Sequence, residues 1–224
     1  MKKYILIFIS LLFLSSQLFG QTVPKNDIVE KNLTKTTNKI ILNDLSTFKS
    51  QFKEWNVGNL HVFSRTQKTK DADYYYTGQK ISPMFQPYLP KGLRQKVVIQ
   101  GSEPYLVASI KGRKLKDYYI LRINDGLSKN TIVLYELKKD RLKPKKTLAY
   151  FYQKDGQTFQ RDSWITDING DTRLDIIQKT QITDKNGSTV KQKTKVFLKK
   201  KNGKYNRNRK IKFEESDYKM KKIK

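Results

Sequence analysis

The chain has 224 residues, and its 47 Lys and Arg against 20 Asp and Glu give a formal net charge of +27. It contains no cysteine and one histidine, which excludes a disulfide framework, a thiol nucleophile, a Cys-ligated zinc site and a multi-histidine metal centre. So large a positive charge attracts anionic polymers, although lysines dispersed along a chain also serve simply to keep a protein soluble.

Residues 1–20 have the three regions of a secretory signal. Two lysines precede an apolar run from Tyr4 to Leu14, and a polar stretch then ends at Gly20. The run has about half of the roughly 20 apolar residues that a membrane-spanning helix needs. We therefore expect cleavage after Gly20, export to the periplasm or the cell exterior, and no transmembrane span in the mature protein.

Residues 21–39 are polar and aperiodic, which predicts a flexible lead-in. Residues 40–96 are expected to hold a helix and an irregular region that pack on the sheet. The helix is predicted from apolar residues at three- and four-residue steps, which share one helix face: Leu45, Phe48, Phe52 and Trp55. The irregular region contains three prolines that exclude a long helix or a central strand: Pro83, Pro87 and Pro90.

Residues 97–214 alternate short β-branched and aromatic runs with turn residues, a pattern that predicts an antiparallel meander. The first predicted strand is the run KVVIQ, which contains Val97. Three dipeptides supply the positive φ angles that two-residue hairpin turns need: Asp155-Gly156, Asn186-Gly187 and Asn202-Gly203. Residues 215–224 form a basic tail that we expect to be frayed. The predicted fold is mainly β with a short N-terminal helical segment.

A weak internal repeat relates two parts of the meander at an offset of 58 residues. The stretch SIKGRKLKDYYIL from Ser109 aligns with DINGDTRLDIIQK from Asp167, which places Asp117 over Asp175. Two copies of one strand-loop-strand unit are therefore predicted.

The second copy carries oxygen-bearing side chains at alternate positions of its loop. With Asp167 as position 1, such side chains fall at positions 3, 5 and 9 in Asn169, Asp171 and Asp175, and the carbonyl of Arg173 is available at position 7. Calcium takes about 6 to 8 oxygen ligands, and carboxylates this close together repel one another unless a cation lies between them. These five residues form a candidate calcium site.

The loop is not an EF-hand, because Thr172 and Gln178 stand where that motif has its glycine and its bidentate glutamate. It resembles the calcium loop of FG-GAP or VCBS repeats, whose form is Asp-x-Asn-Gly-Asp-Gly-x-x-Asp followed by an apolar strand. Here the sequence is DINGDTRLDIIQK, and TKVFLKKKNGKY has the shape of the next strand and turn. The resemblance covers residues 160–210 well and residues 103–150 as a degenerate copy.

The resemblance implies two propeller-blade-like units, the first degenerate, and a role in recognition or adhesion. Two blades cannot close a β-propeller, which needs about four or more. Thr172 replaces the glycine of the family, which predicts a strained turn and weakened binding. In the first copy Ser109, Lys111 and Arg113 replace three ligands, and the two cations would repel calcium. We expect one structural calcium site, with a dissociation constant of roughly 0.1 to 1 mM.

The alternative is a metal-free type I′ hairpin at Asn169-Gly170, in which Asp167 and Asp171 cap the turn or pair with nearby arginines, Arg161 and Arg173. The stretch DKNGS at Asp184 begins in the same way, but Ser188 and Gln192 stand where two ligands would be. It predicts a plain hairpin turn.

Three functions are consistent with these features. The first is an exported, non-catalytic calcium-binding module with a protein partner, anionic polysaccharide or lipid headgroups at the cell surface. The second is a metal-free binder of lipopolysaccharide, polysaccharide or nucleic acid, with Trp55 and the Tyr74–Tyr76 run as stacking surfaces. The third is a hydrolase that uses His61, although nothing in the sequence places a nucleophile beside a base. The sequence has no glycine-rich phosphate-binding loop, so we expect no dinucleotide partner.

Overall fold

A mixed sheet of eleven strands forms the centre of the protein. The computed structural model describes residues 45–55, 58–64, 78–111, 117–125 and 129–222. The predicted signal, the lead-in, the tyrosine run and Arg113 lie outside the described residues. The strands are β1 Lys53–Trp55, β2 Asn59–Val62, β3 Gln79–Lys80, β4 Glu103–Lys111, β5 Asp117–Asn124, β6 Lys129–Lys138, β7 Arg141–Lys154, β8 Gln157–Thr166, β9 Asp175–Thr183, β10 Thr189–Lys199 and β11 Tyr205–Asn208.

The predicted meander is confirmed from β4 to β11, which lie side by side in chain order with every pair antiparallel. Three short strands extend it. Strand β1 pairs in parallel with β4, and β3 pairs with the same strand in antiparallel fashion. Strand β2 pairs with the second half of β8, beyond the part of β8 that pairs with β7. The fold class is therefore mainly β.

The first helix, α1, is helical over residues 45–50 and ends earlier than predicted. Phe48 and Phe52 are buried as expected, and the Phe48 ring stacks on Tyr88 at 4.8 Å. The predicted continuation to Trp55 is wrong, because this residue belongs to β1 and pairs with Ile110 of β4. Pairing with the sheet edge satisfies backbone groups that a last helical turn would leave without partners.

The segment from Pro83 to Gln100 is helical in two pieces. A 3₁₀ helix spans Pro83–Tyr88, in keeping with the short turns that the prolines predict. Helix α2 then spans Lys91–Gln100, so the prediction of a first β-strand at the KVVIQ run is wrong. Pro90 as N-cap and Gly101 in the left-handed conformation bound this helix, and these two signals outweigh the β-branched residues Val97 to Ile99.

The hairpin turns agree with the sequence in part. Asp155 and Gly156 both have positive φ angles, as a type I′ turn between β7 and β8 requires. At the other two predicted turns only the glycine does, at Gly187 and Gly203. The turn between β6 and β7 is formed by Lys139 and Asp140, both with positive φ, at a position without an obvious turn signature.

The main hydrophobic core lies on one face of the sheet and draws on seven strands. Its buried members are Val62, Val107, Ala108, Ile110, Tyr118, Ile120, Ile132, Leu134, Leu148, Ala149, Ile165 and Ile176. A second, smaller cluster consists of Trp164 of β8, Ile177 of β9 and Val196 of β10, whose place in the strand alternation puts them on the opposite face.

The C-terminal segment, residues 209–222, covers that second cluster. Ile211, Phe213, Tyr218 and Met220 pack against Trp164, Ile177 and Val196. The expectation of a frayed tail is therefore wrong for residues 215–222, because the apolar residues between the lysines give the segment a surface to bury. The described residues all belong to one compact unit, Asp44–Lys224, and none of their helices is long and apolar enough to span a bilayer.

Candidate metal centre

The loop between β8 and β9, residues 167–174, brings together the carboxylates that the sequence singles out. Asp167 follows the last residue of β8, and Asp175 is the first residue of β9. One carboxylate oxygen each of Asp167, Asp171 and Asp175 lies within 4.8 Å of the other two. In the described part of the chain this is the one cluster of three or more potential acidic or histidine ligands at such spacing.

Asp175 is the most unusual member of this cluster, because its side chain is fully buried. Its Oδ1 accepts a hydrogen bond from the backbone N–H of Lys199 at 2.8 Å, whereas its Oδ2 has no hydrogen bond of normal geometry among the described residues. Burial raises the pKa of Asp175 and the negative charges of Asp171 and Asp167 add to the rise, whereas hydrogen bonds from the backbone N–H groups of Lys199 and Ile168 oppose it. A buried oxygen without a partner, beside two other carboxylates, is a site that a cation would satisfy.

The turn itself is held by Asp167. Its Oδ1 accepts the backbone N–H of Asp171 at 3.0 Å, and its Oδ2 accepts that of Thr172. Positive φ angles occur at Gly170 (71°) and Thr172 (63°), and Asn169 is not in that region. The type I′ hairpin at Asn169-Gly170 is thus not formed, and Asp167 caps a wider loop instead.

Asp171 has cationic and amide partners in this structure. Its Oδ2 pairs with the guanidinium of Arg173 and accepts the side-chain amide of Asn169 at 2.9 Å, while its Oδ1 accepts the backbone N–H of Arg173 at 3.0 Å. Burial alone would raise the pKa of Asp171, but these hydrogen bonds and the charge of Arg173 together lower it. The Asp171–Arg173 pair is the contact that the metal-free alternative predicts.

The donor set fits calcium in chemistry, since it consists of hard oxygen atoms. The three carboxylates would be joined by the Asn169 side-chain oxygen and the Arg173 carbonyl, and water would complete a shell of about 6 to 8 ligands. Two adjustments are needed first. The amide of Asn169 must turn its oxygen toward the cluster, and the guanidinium of Arg173 must leave Asp171. A cation and the Arg173 side chain therefore compete for Asp171.

The first copy of the repeat lacks this arrangement. Lys111 is the last residue of β4, and its Nζ pairs with Glu54 of β1 at 2.8 Å. Ser109 lies within β4, and Asp117 begins β5 in the way that Asp175 begins β9. The lysine that replaces a ligand thus forms an ion pair with a neighbouring strand.

Thr172→Gly is expected to stabilise the protein by about 1 kcal/mol. A β-branched residue at positive φ stores backbone strain of roughly 1–3 kcal/mol, which glycine relieves and its greater unfolded-state entropy partly offsets. Urea unfolding in a chelating buffer measures the difference. Thr183→Gly in the extended backbone of β9 is the control and should destabilise. A similar decrease in the free energy of unfolding in both variants would show that the turn at Thr172 is not strained.

His61 forms a different cluster on the other face of β8. Its Nε2 lies 3.0 Å from Oδ2 of the buried Asp162, and its ring stacks on Trp164 at 4.3 Å. Asp162 also accepts the side-chain amide of Gln160 and the backbone N–H of Lys221. These contacts join β2, β8 and the C-terminal segment. The nearby Ser163 donates instead to the backbone carbonyl of Leu148.

The DKNGS stretch is a hairpin turn between β9 and β10, as predicted. Oδ1 of Asp184 accepts the backbone N–H groups of Asn186 and Ser188, each at 2.9 Å. Asp184 therefore caps its own turn.

The chain matches no protein-family model, no curated protein and no solved structure.

Proposed function

We propose that this protein is an exported, non-catalytic β module in which one calcium ion orders the loop between β8 and β9. The observation that carries the proposal is the unpartnered, fully buried oxygen of Asp175 within a group of three carboxylates. The role of the ion is structural. At free calcium ten times the dissociation constant, binding adds only about 1.4 kcal/mol to stability, which orders a loop but does not make a fold.

We further propose that the meander consists of two blade-like units of the FG-GAP or VCBS type, β4–β7 and β8–β11. Two features support this division. Each unit has four consecutive antiparallel strands, and an aspartate begins the second strand of each, Asp117 in β5 and Asp175 in β9. Such a module would serve recognition, with a protein, an anionic polysaccharide or lipid headgroups at the cell surface as partner.

Calorimetric titration of the purified protein with calcium in chelator-treated, low-salt buffer tests the metal site. We expect one site with a dissociation constant of roughly 0.1 to 1 mM, which Asp171→Ala abolishes. Asp184→Ala is the control, because it removes an equal charge from a turn without the ligand set. The absence of binding heat and of any calcium-dependent rise in melting temperature would contradict the proposal.

A second candidate function is binding of anionic polymers without a metal. The observation that favours it is a group of unpaired cations on β7, β8 and β10, whose contacts are described below. Binding of this kind falls steeply as the salt concentration rises and is insensitive to chelator, because it depends on the release of counterions. These two dependences separate it from the calcium-ordered module.

A further inference from the structure

Three cationic residues from different strands meet on the core-facing side of the sheet, and we name them the cationic cluster: Lys146 of β7, Arg161 of β8 and Lys195 of β10. Strand register brings them together. Arg161 lies between Tyr150 and Thr180 in one cross-strand row, and Lys195 pairs with Gln178, two residues before Thr180. The Lys146 Nζ reaches the ring of Phe197 on β10, and Lys195 lies two residues from Phe197 on the same face of that strand.

No acid compensates these charges. The Lys146 Nζ lies 3.1 Å from the centre of the Phe197 ring. The Arg161 guanidinium carbon is 4.5 Å from the centre of the Tyr150 ring, and its Nε donates to the Thr180 hydroxyl at 3.4 Å. Within the described parts of the chain, no carboxylate lies within 4.0 Å of a nitrogen of the cluster.

The cations disfavour one another. Burial, followed by the charges of Arg161 and Lys195, lowers the pKa of Lys146 to about 8. Burial also lowers the pKa of Lys195, with Lys193, Arg207 and Arg161 adding to the effect. Lys145, the residue before Lys146 on β7, has an acidic partner, because its Nζ lies 2.5 Å from Oε2 of Glu136. The sheet therefore supplies an acid to one lysine of β7 and none to its neighbour.

We propose that Lys146, Arg161 and Lys195 form a binding site for a phosphate-class oxyanion. An oxyanion placed among them would replace mutual repulsion by charge-assisted hydrogen bonds from three strands. The planar fork of Arg161 suits a bidentate contact, and the two ammonium groups act as point charges. A phosphate dianion compensates more of this charge than a single carboxylate does. The inference rests on the second candidate function and requires no calcium.

The surroundings favour a phosphate carried on a chain over a free ion. Lys193 lies in the same cross-strand row as Arg161, and Arg207 of β11 pairs with Phe197 of β10. Both residues are exposed and extend the positive field beyond the cluster. A linear polyphosphate can occupy the cluster and these flanking cations together, whereas inorganic phosphate reaches only the cluster. Polyphosphate should therefore bind to the protein more tightly than inorganic phosphate does.

The test titrates the purified protein with inorganic phosphate and, separately, with polyphosphate at pH 8.5 and low salt. Lys146→Met should weaken binding of the preferred probe about tenfold. The matched control is Lys201→Met, which makes the same substitution in the exposed turn between β10 and β11 and should change affinity less than about twofold. Lys146→Met removes a half-buried cation that has no carboxylate partner and keeps an apolar side chain against Phe197, so it should fold at least as well as the wild type, and thermal unfolding checks this.

Proton linkage gives a second readout. At pH 8.5 Lys146 is mostly neutral, and an anion beside it raises its pKa, so binding must take up a fraction of a proton. The binding heat of the wild type should then depend on the ionisation enthalpy of the buffer, and Lys146→Met should remove most of that dependence. The Lys201→Met variant should retain it.

The outcomes distinguish a free anion from an anion carried on a chain. They also distinguish failure of the proposed site from failure of the second candidate function. Binding of both probes with similar strength would assign the site to a free anion, and much tighter polyphosphate binding would assign it to a chain. Equal weakening in the two variants would overturn the site and leave only diffuse binding of polyanions. No binding of either probe would overturn the second candidate function as well.

Discussion

Asp175→Asn should abolish detectable calcium binding and yet leave the calcium-free protein at least as stable as the wild type. Asparagine keeps an oxygen that can accept the backbone N–H of Lys199. It removes a buried negative charge that lies beside two other carboxylates and whose pKa is raised by burial. The new amide can donate to Asp167 or Asp171. A metal ligand is expected to lower the stability of the metal-free protein, because it is retained for binding and not for folding.

Loss of this ligand should weaken calcium binding at least tenfold, which is about 1.4 kcal/mol. Calorimetry measures the affinity, and urea unfolding with chelator measures the stability of the metal-free form. The control is Asp184→Asn, in the turn between β9 and β10, which should leave calcium binding unchanged. If Asp175→Asn bound calcium normally but unfolded more easily, Asp175 would be a structural acceptor for Lys199 and not a metal ligand.

The position of the loop could be predicted from the sequence because its information is local. Oxygen-bearing residues at alternate positions before an apolar strand already indicate a turn with converging side chains. The state of each carboxylate could not be predicted in this way. Asp175 is buried in the folded sheet, where its Oδ1 accepts the backbone N–H of Lys199 on the neighbouring strand β10. The competing ion pair between Arg173 and Asp171 likewise depends on the turn geometry.

The meander was predictable from alternation, and the errors lie where another constraint prevails. The run Val97 to Ile99 favours a strand by composition, but Pro90 and Gly101 bound a helix there. Val98 and Ile99 are about four-fifths exposed at 77% and 78%, so burial does not constrain this part of the helix. Trp55 follows helical spacing but pairs with Ile110 in the sheet. Both cases depend on neighbours that periodicity alone does not identify.

The cationic cluster shows the same limit for charge. Along the sequence its lysines and arginine appear dispersed, since β7, β8 and β10 are separated by turns and by another strand. The strand register then places these residues on one face of the sheet. The acidic residues lie elsewhere, and Glu136, for example, pairs with Lys145 and not with Lys146. A count of charges gives the long-range field of the protein, whereas the sheet determines which charges meet without compensation.

Trp164→Ala should destabilise the protein by about 3–5 kcal/mol, the usual cost of removing a large buried aromatic side chain. Trp164 is only 3% exposed and anchors the cluster on the second face of the sheet. Its ring stacks on His61 at 4.3 Å and meets the Tyr218 ring edge-on at 5.6 Å. The substitution removes the surface on which both β2 and the C-terminal segment pack.

Two measurements separate these effects. Urea unfolding gives the total loss of stability, and limited trypsin digestion at low urea reports release of the C-terminal segment through its lysines, Lys219, Lys221 and Lys222. Tyr218→Ala is the matched variant, because it removes the half-buried ring of the segment and leaves Trp164 against Ile177 and Val196. It should expose the same cleavage sites at a smaller cost in stability. If Trp164→Ala cost less than about 1 kcal/mol, the second face would not be a packed core, and the segment after Tyr218 would be held by the hydrogen bonds of Lys221 with Asp162 and Gln160.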